Sequence, residues 1–189
     1  MKKNRKILLL AAVCLIGLLV MFILPLLSVP GYSVIRNTLS ELGAQNAPGG
    51  WIMNFIFAFL ALGSIIGGWE YYEGFLLHRF VLVLFGISLT LMAFFNHAPC
   101  NPDLCYNTME DSLHAYFTCT TGSSFIVLSI STSFILERQN DRLLALAAGM
   151  SIIFLSVLMS EAEKAAGVWQ RLMFIISFGW MVYNFRARE

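Results

Sequence analysis

The sequence predicts an all-α, polytopic membrane protein: one domain over residues 1–189, a bundle of six transmembrane helices with both termini cytoplasmic. Three observations predict it. Hydrophobic residues fill 58% of the 189 positions and charged ones only 12%, against about 25% charged in an ordinary soluble domain. The apolar residues come in runs of roughly the 20 residues that a helix needs to cross a bilayer. Those runs are too long and too continuous for alternating barrel strands, and lipid admits only helices and closed barrels. A net charge of +1, with no basic stripe away from the helix ends, speaks against a nucleic-acid partner.

The first span covers about 7–27. Preceded by "MKKNRK", it resembles a secretory signal, but its apolar stretch exceeds the roughly 7–15 residues of a signal core and no small-x-small cleavage site follows. "LAAV" before Cys14 fits a lipoprotein site poorly, so the segment reads as a retained span. The second, 51–69, follows the breaker Pro48-Gly49-Gly50 and carries Gly63-x-x-x-Gly67, a spacing suited to close helix packing in lipid. The third covers 76–95. The fourth, 114–136, holds nine hydroxylated residues from Thr118 to Ser133, the usual glue between helices, which predicts a central, buried helix. The fifth and sixth cover 143–159 and 168–183.

Sidedness follows from the basic residues at the span ends. Lys2, Lys3, Arg5, Lys6, Arg79, Arg138, Arg142, Arg186 and Arg188 fall on one side, and Arg36, Lys164 and Arg171 on the other. The basic side is the cytoplasmic one, which places the longer loops 28–50, 96–113 and 160–167 outside. Binding groups concentrate on such loops when a rigid scaffold holds them.

Much of the polarity there has a plain helix-capping explanation. Thr38 to Glu41, Thr108 to Asp111 and Ser160 to Glu163 each match the capping-box spacing. A short helix near 38–44 lying on the membrane surface is expected, ended by Gly43 or by the Pro48 breaker. Capping does not explain Asn54 one turn inside the second span, His114 with Thr118 and Thr121 on its face, or Gln170 and Arg171 at the start of the sixth. An arginine at that depth snorkels or pairs, with Glu41, Glu161 or Glu163 as its natural partners.

Cys100 and Cys105 in "CNPDLC" have the placement of a structural disulfide outside the cytoplasm; a quinone-facing redox pair is the sharper alternative. Cys119, one and a half turns below His114, allows a relay. His78 and His97 at opposite ends of the third span disfavour a bridging haem. A divalent metal such as zinc is possible, with His114, Asp111 and His97 as candidate ligands and Asp103 and Glu161 as further oxygen donors. Asp111 and His114, three apart, share a helix face.

The order "NTLSELGA", then "WIMN", then "APCNPDLC", a histidine about ten residues on and finally "GVWQR" resembles the bacterial and archaeal six-span membrane proteins gathered as domain-of-unknown-function family 998. The resemblance covers nearly the whole chain. It implies six helices and marks Ser40, Glu41, Asn54, Asp103, His114, Gln170 and Arg171, but no reaction.

Three functions stay open. The first is an outward polar pocket for a lipid headgroup or small amphiphile, with Arg171 on an anionic group, Glu41 and Asn54 orienting it and His114 hydrogen-bonding; Ser40 and Gln170 join by the resemblance. The second is a lipid hydrolase or transferase with His114 as base or metal ligand and Glu41, Asp103 or Glu161 as candidate acids; Ser40 in "LSELG" is no nucleophile elbow. The third is a scaffold or immunity-type protein without a small ligand. Membrane lipids are the expected partners in each, with a homo-oligomer or a partner membrane protein possible.

Overall fold

The computed structural model describes residues 2–101 and 103–186, without the side chains of residues 2–4. Lys2, Lys3 and Arg188 from the charge count lie outside the described side chains. Helix α1 (Lys2–Ile23) passes into a 3-10 turn at Leu24–Leu27, where Pro25 withdraws a backbone donor. A single turn, α2 (Leu39–Leu42), precedes α3 (Gly50–Tyr71), α4 (Leu76–Phe94), α5 (Thr108–Ser133) and α6 (Gln139–Glu161). A 3-10 turn at Glu163–Ala165 leads into α7 (Ala166–Arg186).

The six long helices run up and down, each packed on the next, and α1 closes the bundle against α3 and α7. The short connections 72–75, 134–138 and 162–165 dictate this for three of the neighbouring pairs, because antiparallel neighbours are all that a few linking residues reach. Both described ends of the chain lie at one end of the bundle, where Tyr183 Oη donates to Asp141 Oδ1 (2.9 Å) and Tyr72 Oη pairs with Thr132 Oγ1 (2.8 Å). The long loops meet at the other end, where Gln45 N donates to His97 O (2.9 Å) and Gly167 N to Arg36 O (3.2 Å). We call these the terminal end and the loop end.

Among the described residues five helices are long and apolar enough to cross a membrane: Arg5–Leu27, Gly50–Tyr71, Leu76–Phe94, Gln139–Glu161 and Glu163–Arg186. Trp51 and Trp69 stand exposed at the two ends of α3, about 27 Å apart at 1.5 Å per residue. That matches the hydrocarbon thickness of about 30 Å between aromatic belts. This is a membrane protein with transmembrane helices. The predicted fourth span is long enough, but its hydroxyls keep it out of the apolar set. Nor is it central: α5 packs on α4 and α6 while Tyr116, Cys119 and Val127 face outward.

Close packing explains why small residues stand where they do. A Cβ on Gly63 would come within 3.2 Å of Leu10 Cδ1, so α1 and α3 approach as the glycine spacing predicts. Leu10, Met21, Leu60, Leu82, Leu128 and Met181 are fully enclosed. Leu10 and Met21 place the first segment inside this core.

Of the three capping boxes, one forms. Thr38 accepts from Glu41 N (3.3 Å) while the Glu41 carboxylate takes Thr38 N, and Gly43 ends α2. Leu39, Ser40 and Leu42 are buried, so α2 plugs the mouth of the bundle and does not lie on a membrane surface. Helix α5 begins six residues before the predicted span and takes its cap from Asn107, whose Oδ1 accepts from Met109 N and Glu110 N, so Thr108 caps nothing. At 160–163 the α6 helix is ending, and Ser160 Oγ donates backward to Val157 O (2.8 Å).

Candidate functional site

Arg171, one turn into α7, is 4% exposed. Its Nη1 donates to Val34 O (2.8 Å), Asn37 O (3.0 Å) and Gly167 O (2.9 Å), and its Nη2 to Tyr32 Oη (3.0 Å) and Met21 O (3.5 Å). No carboxylate takes part. The expected pairing with Glu41, Glu161 or Glu163 is replaced by carbonyls, because the loop 32–38 folds down onto the guanidinium and presents its backbone. Tyr32 completes the cage: its hydroxyl faces Asn37 O (3.1 Å) and Thr38 O (2.8 Å), and burial pushes the phenol up to about 12 despite the adjacent Arg171. Gly167 permits the approach; a Cβ there would stand 2.3 Å from Asn37 O and 2.5 Å from Val34 O. Arg171 is therefore a pin for the loop, and its four amino N–H positions face protein acceptors.

The neighbouring candidates are roof joints of the same kind. Gln170 Oε1 receives the free N–H groups of Leu39 and Ser40 at the start of α2, and its Nε2 donates to Ser40 Oγ (3.3 Å). Asn37 Nδ2 donates to Glu41 Oε1 (3.0 Å). Asn54 Nδ2 donates to Gly43 O (3.1 Å) and Asn96 Oδ1 (2.6 Å), and Asn96 in turn donates through its backbone and side chain to Glu110 Oε1 (2.8 and 3.0 Å). Gln45 stitches the layer shut, with Nε2 on Asn96 O (3.1 Å) and Asn107 O (3.0 Å) and Oε1 on Asn107 N (2.8 Å). Tyr32, Gln45, Asn96 and Glu110 escaped the sequence reading. Each joins residues far apart in the chain, which no local spacing announces.

His114 Nδ1 lies 2.9 Å from Met92 O and 2.8 Å from Phe95 O. Two carbonyl partners make Nδ1 the protonated nitrogen. Nε2 is buried without a partner. The ring of His97 meets it edge to face at 5.2 Å between centroids, and Asp111 Oδ1 accepts from Ala98 N (2.7 Å). Among the described residues no three His, Cys, Asp or Glu side chains gather as a metal would need; a zinc site takes three or four ligands. Asp103 and Glu161 are exposed, and no described hydrogen bond or ion pair joins either to His114.

The expected Cys100–Cys105 bridge is absent: both cysteines are free. Cys100 turns inward, its Sγ 3.9 Å from Glu41 O, and Cys105 is exposed beyond a turn closed by Leu104 N to Asn101 O (3.3 Å). Burial, then the nearby Glu41, pushes the Cys100 thiol up to about 11.

Beneath the roof lies a cavity of about 610 Å³ between α4, α5, α6 and α7, with Leu39 of α2 above it. Phe85, Phe125, Ile152, Phe174 and Phe178 form its apolar wall. Its α5–α6 side carries Cys119, Ser123, Ile153 and Val157, all exposed, so the space opens sideways between these two helices. Gly122 lines it, and a Cβ there would meet nothing within 4 Å. From Ser160 to Ile152 the lining descends about 12 Å along α6, close to the roughly 15 Å of one leaflet's hydrocarbon. Of the predicted site residues only Gln170 reaches it. The hydroxyls Thr118 and Thr121, read from sequence as packing groups, stand on its wall.

Comparison with curated proteins and with solved structures gave no match. The model of one family, described as "Protein of unknown function (DUF998)", matches residues 10–185. That is nearly the whole bundle, from the first turns of α1 to the last of α7, and the chain belongs to the DUF998 family.

Proposed function

We propose that this protein sits in the plasma membrane with six spans and holds the hydrocarbon part of an amphiphile in the cavity beneath its roof. The cavity itself carries the reading: its volume lies within the roughly 300–1,000 Å³ of small-molecule sites, and its apolar wall suits an acyl or isoprenoid chain. Helix α5 serves as a span despite its hydroxyls, since Phe95 O at His114 and Tyr72 at Thr132 hold its two ends level with those of α4. Of the described basic side chains, Arg5, Lys6, Arg79, Arg138, Arg142 and Arg186 lie at the terminal end. That bias favours a cytoplasmic terminal end and an external roof.

A scaffold without a ligand is the second reading, favoured by the internal partners that Glu41, Asn54, Gln170 and Arg171 all possess. One experiment separates the two. Lipid co-purified with the wild type and with Gly122→Phe is quantified by mass spectrometry. A Cβ at Gly122 would meet nothing within 4 Å, so the added ring is expected to enter the cavity and melting temperatures to agree while retained lipid falls severalfold. Equal retention by both proteins overturns the cavity reading.

A further inference from the structure

We propose that the occupant of this cavity is an uncharged amphiphile whose polar head donates hydrogen bonds, such as a long-chain alcohol or a lipid with a free hydroxyl. The inference rests on the cavity reading and adds a ligand class to it. Among the described residues no Asp, Glu, Lys, Arg or His lines the cavity. Bringing an ion into such a space without a partner is strongly unfavourable. The nearest arginine of the roof, Arg171, is directed away into the loop carbonyls.

The polar groups that do line the space are biased toward accepting. Thr118 Oγ1 donates to His114 O (2.8 Å), Thr121 Oγ1 to Phe117 O (2.8 Å), Ser156 Oγ to Ile152 O (2.7 Å) and Ser160 Oγ to Val157 O (2.8 Å). Each hydroxyl has a single proton: Thr118 and Ser160 direct it at their own helix, Thr121 shares it between Phe117 O and Ser88 Oγ (3.0 Å), and Ser156 between Ile152 O and Met173 Sδ (3.6 Å), so protein acceptors take all four. What these four present to the cavity is lone pairs. Gln170 Oε1 is already filled by Leu39 N and Ser40 N, so it offers the occupant little more than one amide N–H. Ser123 and Ser177 line the wall lower down and make no described hydrogen bond. Thr118, Ser160 and Gln170 lie toward the roof and the aromatic wall lies below, which orients the bound molecule head-up and tail-down. The gap between α5 and α6 lets it arrive from the lipid without crossing the roof.

Three probes of one chain length test this: hexadecanol, hexadecyl methyl ether and palmitate, competed against a fluorescent fatty alcohol on the purified full-length protein in detergent. Hexadecanol is expected to bind about tenfold more tightly than the ether, the worth of a hydrogen bond or two in a dry site, and more tightly still than palmitate. The double variant Thr118→Val, Ser160→Ala is expected to bring hexadecanol down to the ether's affinity and leave the ether unchanged. Ether binding equal to hexadecanol overturns the donor requirement, and palmitate binding equal to hexadecanol overturns the uncharged class; in both cases the cavity reading stands. If no probe binds the wild type or is affected by Gly122→Phe, the cavity reading itself fails.

Discussion

At the loop end a guanidinium 4% exposed is enclosed by four carbonyls and a phenol, while at the terminal end the described charges lie on the surface. There Lys6 pairs with Glu70, the two side chains 37% and 46% exposed, and Arg79 lies over the Trp69 ring at 4.8 Å. Buried at the terminal end are Tyr71 on Asn184 (3.0 Å), Tyr72 on Thr132, and His78 stacked on Tyr72 at 5.2 Å between ring centroids. The described side-chain hydrogen bonds are more numerous at the loop end, and the two ends also differ in what removal of a charged partner leaves behind. A buried acceptor stripped of its donor has no water to turn to, whereas an exposed one has. The roof therefore depends on a buried charged joint that water cannot replace, whereas the charged joints of the terminal end lie where water can replace them.

Arg171→Ala tests that contrast where it is greatest. It orphans the carbonyl of Val34 and strips Asn37 O and the Tyr32 hydroxyl of their charged donor at once, and hydrogen bonds to a charged donor are worth about 1.5–3 kcal/mol each. A loss on the order of 3 kcal/mol or more is expected, read as a large drop in melting temperature in detergent and as protease cutting within 28–38. Arg171→Lys restores at most part of it, because an ammonium cannot reach a fork of acceptors in two directions. A variant that keeps the wild-type melting temperature would show that the cage is incidental and the two ends alike.

Raising the pH acts on the same end more gently. The Cys100 thiol and the Tyr32 phenol both titrate higher in the folded protein, near 11 and 12, than their ordinary 9.0 and 10.0, first because they are buried. Above pH 9 the unfolded chain releases these protons before the folded one does, so unfolding gains. The stability they contribute is whole below pH 9 and disappears as pH rises to about 12. Melting temperature is expected to decline over that window, and the double variant Cys100→Ser, Tyr32→Phe to decline less steeply. An identical slope in both proteins would remove the roof as the alkali-sensitive end.

The difference between the ends also decides what was legible in the sequence. Helix existence was readable because an apolar run of bilayer length admits one solution, and the helix bounds differ from expectation chiefly at α5, whose polar first turn stands clear of the apolar run. The capping box at Thr38 and Glu41 was readable because both partners lie within three residues. The role of Arg171 was not: its depth marked it as unusual, but its acceptors are backbone groups, which every residue possesses and no residue type advertises. The cavity hid for a related reason. A hydroxyl that bonds its own helix has the same spacing whether its outer side meets another helix or empty space, so Thr118 and Thr121 look alike in both cases.

Lys6→Ala sharpens the comparison from its weak side. The Lys6–Glu70 pair is half in solvent, and exposed pairs of this kind contribute about 0.5 kcal/mol or less once screening and the ordering of two long side chains are counted. Glu70 has further interactions in the fold, so losing the lysine does not strand it. The expected result is a melting temperature within a degree or two of wild type at low salt and no difference at high salt, where the pair is screened. A drop approaching that of Arg171→Ala would mean that this surface pair clamps α1 to α3. The terminal end would then depend on single joints as the roof does, and burial would no longer be what separates the two.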